Sequence, residues 1–90
     1  MSAKAEIGWK GLTPDGERRE VYARHVGKEW RFFERTRRFD QWQELAEPPL
    51  ADWLELLDAV VRRAQRRRSR PEESDRIRQS IRDRFPDAAV

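Results

Sequence analysis

The segment Leu50–Gln65, LADWLELLDAVVRRAQ, constrains the fold more than any other part of the chain. Leu50, Trp53, Leu54, Leu57, Val60, Val61 and Ala64 recur at spacings of three and four, and at about 100° per residue they fall in one stripe. A stripe of that width has to be buried, so this segment must be a helix packed against other elements. Pro48 and Pro49 stand where proline is tolerated, in the first turn. Continued as helix, Arg68 would land in the middle of the apolar stripe, so the helix is expected over about residues 49–67, with residues 68–70 forming a connection. Leu56 falls off the stripe and is an apolar residue without an assigned place.

A second helix is expected over about residues 71–85. Pro71 lies near its start, Glu72, Glu73 and Asp75 in its first turn, and Ile77, Ile81 and Phe85 at i, i+4 and i+8, before Pro86 stops it. The short tail from Pro86 onward and residues 1–5 are expected to be loose.

The first half has a different period. In EIGWKGL (Glu6–Leu12) Ile7 and Trp9 share a face, and the TPDG that follows places Pro14 and Gly16 where a type I turn favours them. A second strand covers residues 19–26 and a third Glu29–Arg35, with Gly27-Lys28 between them as a two-residue hairpin loop of type II′. That loop fixes a register: His25 opposite Trp30, Ala23 opposite Phe32 and Val21 opposite Glu34 on one face, Tyr22 opposite Phe33 and Arg24 opposite Arg31 on the other. Two arginines directly opposed repel, so either the loop is longer or that face meets something anionic. Residues 35–45 fit either a fourth strand after a turn near residues 36–38 or a short helix, and the alternation of Phe39, Gln41, Gln43 and Leu45 favours the strand. The expected fold is α+β, an antiparallel β-meander of three to four strands over about residues 6–45, followed by a C-terminal α-hairpin packed on one sheet face. All 90 residues form one small domain.

Composition narrows the function classes. Charged residues make up 41% of the chain and the mean hydropathy is -1.08, values that lean toward disorder, but nine aromatic residues and two clear periodicities are what a disordered chain lacks. Without cysteine there is no disulfide framework and no thiolate metal site, no apolar run suits a signal peptide or a membrane span, and a cytoplasmic setting follows by default. Nucleophilic catalysis needs a Ser, Thr or Cys beside a base, yet the chain has one histidine and no G-x-S-x-G turn or phosphate-cradling glycine loop. His25, on a strand across from Trp30, reads as a half-buried structural residue. The expectation is a protein that is not an enzyme and takes no cofactor or metal.

Two kinds of binding surface remain. Arg62, Arg63, Arg66 and Arg70 point away from the apolar stripe and form a basic helix face suited to tracking phosphates, with Arg24, Arg31 and Arg35 on the sheet as a second set. The same arginines also have a plain reading: basic residues at a helix end complement its dipole, Asp58 and Arg62 form an i, i+4 pair, and Glu72, Glu73 and Asp75 lie nearby. The other surface is aromatic. Tyr22 and Phe33 would face outward as a cross-strand pair, and Trp42 has no obvious partner on its face. The leading expectation is a small binding module that engages a protein partner or another copy of itself through Tyr22, Phe33 and Trp42; the alternative is a nucleic-acid-binding domain using the arginine-rich helix face.

Overall fold

In the computed structural model, which describes residues 6–27, 29–36, 40–65 and 71–90, a four-stranded antiparallel sheet in the order β1-β2-β3-β4 precedes two helices. The α+β class and the meander therefore stand. The chain divides into two compact units, Met1–Glu47 and Pro48–Val90.

In the first unit, β1 (Glu6–Leu12) and β2 (Arg18–Val26) are joined by a turn that the sequence sets locally. The Gly16 amide donates to the Thr13 carbonyl at 2.9 Å, closing the four-residue turn, and the Thr13 amide donates to the Glu17 carbonyl at 2.8 Å. Gly16 sits at φ 87, the left-handed position that follows a type I turn in hairpins of this length. The Thr13 hydroxyl accepts from the Glu17 amide at 3.0 Å, so a side chain completes the loop's bonding.

The second hairpin pairs β2 with β3 (Glu29–Arg35) in the expected register, with His25 opposite Trp30, Ala23 opposite Phe32, Val21 opposite Glu34, Tyr22 opposite Phe33 and Arg24 opposite Arg31. Val26 pairs with Glu29, which leaves two loop positions: Gly27 at φ 63, as primed hairpin turns require, and Lys28, outside the described residues. The fourth strand, β4, is only Gln43–Leu45, paired with residues 32–34 of β3. Of the longer alternation expected here, Gln41 and Trp42 are not in the strand, and Phe39 and the turn at residues 37–38 lie outside the described residues.

Because side chains alternate along a strand, register divides the sheet into two faces. Ile7, Val21, Ala23 and Phe32 share one, and all four are buried. Trp9 meets Phe32 edge-on, with ring centroids 6.0 Å apart and planes at 72°. His25 lies half-buried on this face, stacked on Trp30 at 4.7 Å. At its margin Arg19 donates to Glu34 at 2.6 Å.

The second unit holds α1 (Leu50–Gln65) and α2 (Pro71–Arg84). The Asp52 and Trp53 amides donate to the Pro49 carbonyl, at 3.0 and 3.3 Å, starting α1 directly after the two prolines. Its buried residues are Asp52, Trp53, Leu56 and Val60. Leu56, placed off the stripe by sequence, has 0% exposure, while Leu54, placed on it, is 40% exposed. The buried face is thus rotated by roughly 80° from the expected stripe, at 100° per residue. Trp53 and Val60 belong to both; Asp52 is the polar residue that hid the true one. On α2, Ile77 and Ile81 are buried, as the periodicity requires, with Ser74 buried beside them; Phe85, just past the end of the helix, is half-buried. The helices run antiparallel, with the Arg84 guanidinium at the end of α2 over the Trp53 ring at the start of α1, 4.9 Å from its centroid. The tail after Pro86, expected to be loose, turns back: the Ala88 amide donates to the Phe85 carbonyl at 2.9 Å and Arg82 Nε to the Val90 carbonyl at 2.8 Å.

Candidate functional site

The second face of the sheet carries Tyr22 and Phe33 at its centre. They are register partners, and their rings stack with centroids 4.8 Å apart and planes 16° from parallel. Trp42 closes over Tyr22 edge-on at 4.8 Å and 85°. The three aromatic residues singled out in the sequence are therefore brought into one cluster, and the residue that had no obvious partner is its keystone. Trp42 is held although it lies outside β4, because the β3 to β4 register, extended toward the loop, sets position 42 across from Arg35. The Arg35 guanidinium stacks over the indole, 4.3 Å from its centroid. A further cation, Arg24, lies 5.9 Å from the Tyr22 centroid. Such contacts contribute about 0.5–1 kcal/mol each at exposed sites, enough to fix rings whose rotamers would otherwise be free.

Charges around the cluster are paired laterally. Arg35 Nε donates to Glu20 at 2.6 Å from the neighbouring strand. Arg24 donates from Nε and Nη2 to one Glu6 carboxylate oxygen, at 3.0 and 2.7 Å. These hydrogen bonds, and then the carboxylate's charge, hold the Arg24 guanidinium above its ordinary pKa. Arg31 lies 4.0 Å from Glu44. This removes the difficulty of the opposed Arg24 and Arg31: each has its own carboxylate on an outer strand, so the loop can be short without an external anion.

Gly8 stands across from Tyr22 on β1, and its missing side chain leaves a shallow depression lined by Glu6, Gly8, Lys10, Glu20, Tyr22, Arg24 and Trp42. A Cβ at Gly8 would meet only the Val21 carbonyl at 3.4 Å and the Tyr22 Cβ at 3.9 Å, ordinary contact distances. The gap is therefore not imposed by crowding. Of the four large apolar side chains left exposed among the described residues, Leu12, Val26 and Trp42 belong to this side of the sheet and only Leu54 is elsewhere.

The helix arginines are arranged less favourably. Arg62 is exposed but pairs with Asp58 at 3.0 Å. Arg63, expected on the outer face, is half-buried and engaged, because the buried face of α1 is rotated toward it. Arg66 and Arg70 lie outside the described residues, as do residues 67–69 of the expected helix end and connection. The acidic start of α2 pairs within its own helix, Glu73 with Arg76 at 3.3 Å and Asp75 with Arg78 at 3.4 Å. Among the described residues no group of three or more His, Asp or Glu side chains could hold a metal ion, and no helix is long and apolar enough to cross a membrane. Comparison with protein-family models, with curated proteins and with solved structures finds no match to this chain.

Proposed function

We propose that the chain is a small non-enzymatic binding module of the cytoplasm that engages a protein partner through the face of its sheet bearing Tyr22, Phe33 and Trp42. The observation that carries this is the pre-ordered aromatic cluster itself: three rings locked against one another, ringed by paired charges, with Trp42 still 37% exposed. Protein interfaces concentrate their affinity in such rigid aromatic anchors inside a polar rim, and side chains already fixed lose little entropy on binding.

Single-stranded nucleic acid is the rival ligand for the same face, since arginines surround the rings. What weighs against it is that bases need free ring faces, whereas Tyr22 and Phe33 cover each other and Trp42 carries Arg35. Arg24, Arg31 and Arg35 each face a carboxylate as well. The two readings separate in one pair of experiments. The protein reading expects affinity capture by the full chain of a partner that Trp42→Ala loses while its unfolding transition is kept. The rival expects oligonucleotide binding that weakens log-linearly with salt and disappears on reversal of Arg24 and Arg31 to Glu; tight, salt-sensitive binding of that kind would displace the protein reading.

A further inference from the structure

We infer that the partner of this face is a second copy of the chain, the two sheets meeting face to face about a two-fold axis along the Tyr22 and Phe33 row. This rests on reading the Tyr22 face as the binding surface and adds its occupant. The reason is charge and apolar complementarity of the face with itself.

Register arranges the face in rows across the strands. On one side of the Gly8, Tyr22, Phe33 row lies Glu6, Arg24, Arg31; on the other lies Lys10, Glu20, Arg35. Each is two residues from the central row, so each is about 7 Å from it. A two-fold axis along the central row lays β1 on β1, β2 on β2 and β3 on β3 with directions reversed, and exchanges the flanking rows. Glu6 then meets Lys10 of the other copy and Arg24 meets Glu20. Like charges meet at Arg31 and Arg35, which face Glu44 and Glu20 of their own chain at 4.0 and 2.6 Å, and at Glu44, which continues the central row beside Phe33 and meets its own copy on the axis with Arg31 of its own chain nearby.

The next rows out agree. Leu12 and Arg18 are register partners four residues from the centre on one side, and Val26 and Glu29 are register partners four residues out on the other. The same axis brings these rows together, exposed leucine toward exposed valine and arginine toward glutamate. A crossing of up to about 30° between aligned sheets shifts the ends by about one strand, which is the offset between Leu12 on β1 and Val26 on β2, and between Arg18 on β2 and Glu29 on β3. At the centre the axis sets Gly8 against Gly8, Tyr22 against Tyr22 and Phe33 against Phe33 of the other copy, so the two aromatic clusters meet and the two depressions face each other. Isologous contacts need this kind of self-complementarity, and it leaves no open-ended chain of contacts.

The face measures about 20 by 24 Å, which gives roughly 1,000 Å² buried over both copies, at the weak end for specific association. The dimer is expected to dissociate on the order of 100 µM, and more readily in salt.

The test uses Arg18 and Glu29, two exposed residues at opposite ends of the sheet, neither of which has an ion-pair partner among the described residues. Within one chain they are about 27 Å apart, beyond the screening length at physiological salt. Sedimentation equilibrium of the full chain from about 10 µM to 1 mM, a range spanning the dissociation constant estimated above, should show a monomer–dimer equilibrium. Arg18→Glu alone and Glu29→Arg alone should each weaken it several-fold, and the double exchange should restore it. Restoration cannot come from an effect inside one chain, so singles that weaken and a double that does not recover would overturn the two-fold pairing. A wild-type protein monomeric throughout that range would overturn the second copy as the occupant. If such a monomer still captures another protein in a Trp42-dependent way, the surface reading survives without this inference; if it captures nothing, both fall.

Discussion

The two faces of the sheet are built from the same three long strands, one residue out of step, and solve opposite problems. The Phe32 face gathers Ile7, Val21, Ala23 and Phe32 and hides them. The Tyr22 face also has an aromatic pair at its centre, but surrounds it with arginine and glutamate that satisfy one another across strands. Apolar area removed from water is worth about 25 cal/mol per Å², so the first face holds the fold. Exposed ion pairs are worth 0–1 kcal/mol, so the second contributes little stability for its size. An ordered surface that stabilises little is what a binding face should be.

That contrast can be broken by mutation, and the largest effect is expected on the buried side. Phe32 is 1% exposed, so Phe32→Ala should cost about 3–5 kcal/mol in denaturant unfolding. Loss of the folded state altogether would agree with this; a cost under about 1 kcal/mol would mean the core lies elsewhere. In the helical unit, Leu56→Ala should cost about 2–5 kcal/mol and Leu54→Ala under about 1. The reverse ranking would restore the face of α1 that the sequence pattern suggested. Gly27 at φ 63 connects the two faces' shared register, and Gly27→Val should cost about 1–2 kcal/mol through backbone strain alone.

Changes on the Tyr22 face should separate binding from folding. Trp42→Ala should lower stability by no more than about 1 kcal/mol while removing association. Were it to unfold the protein, the cluster would be structural and the contrast between faces would fail. The smallest shift is expected at Gly8, where alanine fits the space and should raise stability by about 0.5–1 kcal/mol by restricting the unfolded chain.

The hairpins were legible in the sequence because their signals are local. Gly16 and Gly27 supply the left-handed positions the turns need, and a two-residue loop then leaves only one register for the strands. The face of α1 was not legible for a physical reason. Leucine and valine occupy enough positions to draw two overlapping stripes, both containing Trp53 and Val60, and hydropathy chooses the one without Asp52. The fold buries Asp52 in the first turn of α1, where a helix dipole favours a carboxylate, and turns Leu56 inward with it. Tyr22 and Phe33 were found from register alone. Trp42 was identified without its partners, because its contacts come from positions across the sheet, Arg35 and Tyr22, and not from a strand of its own.

The most direct test of the Tyr22 face as the surface on which two copies meet is an amide correlation spectrum of the isotopically labelled protein, recorded from about 20 µM to 1 mM, bracketing the dissociation constant expected of so small a face. Resonances of Gly8, Tyr22, Arg24, Phe33 and Trp42, with the Trp42 indole among them, should move with concentration, while those of Leu56, Val60, Ile77 and Ile81 stay fixed. Movement centred on α1 around Leu54, or a spectrum that does not change at all, would contradict it.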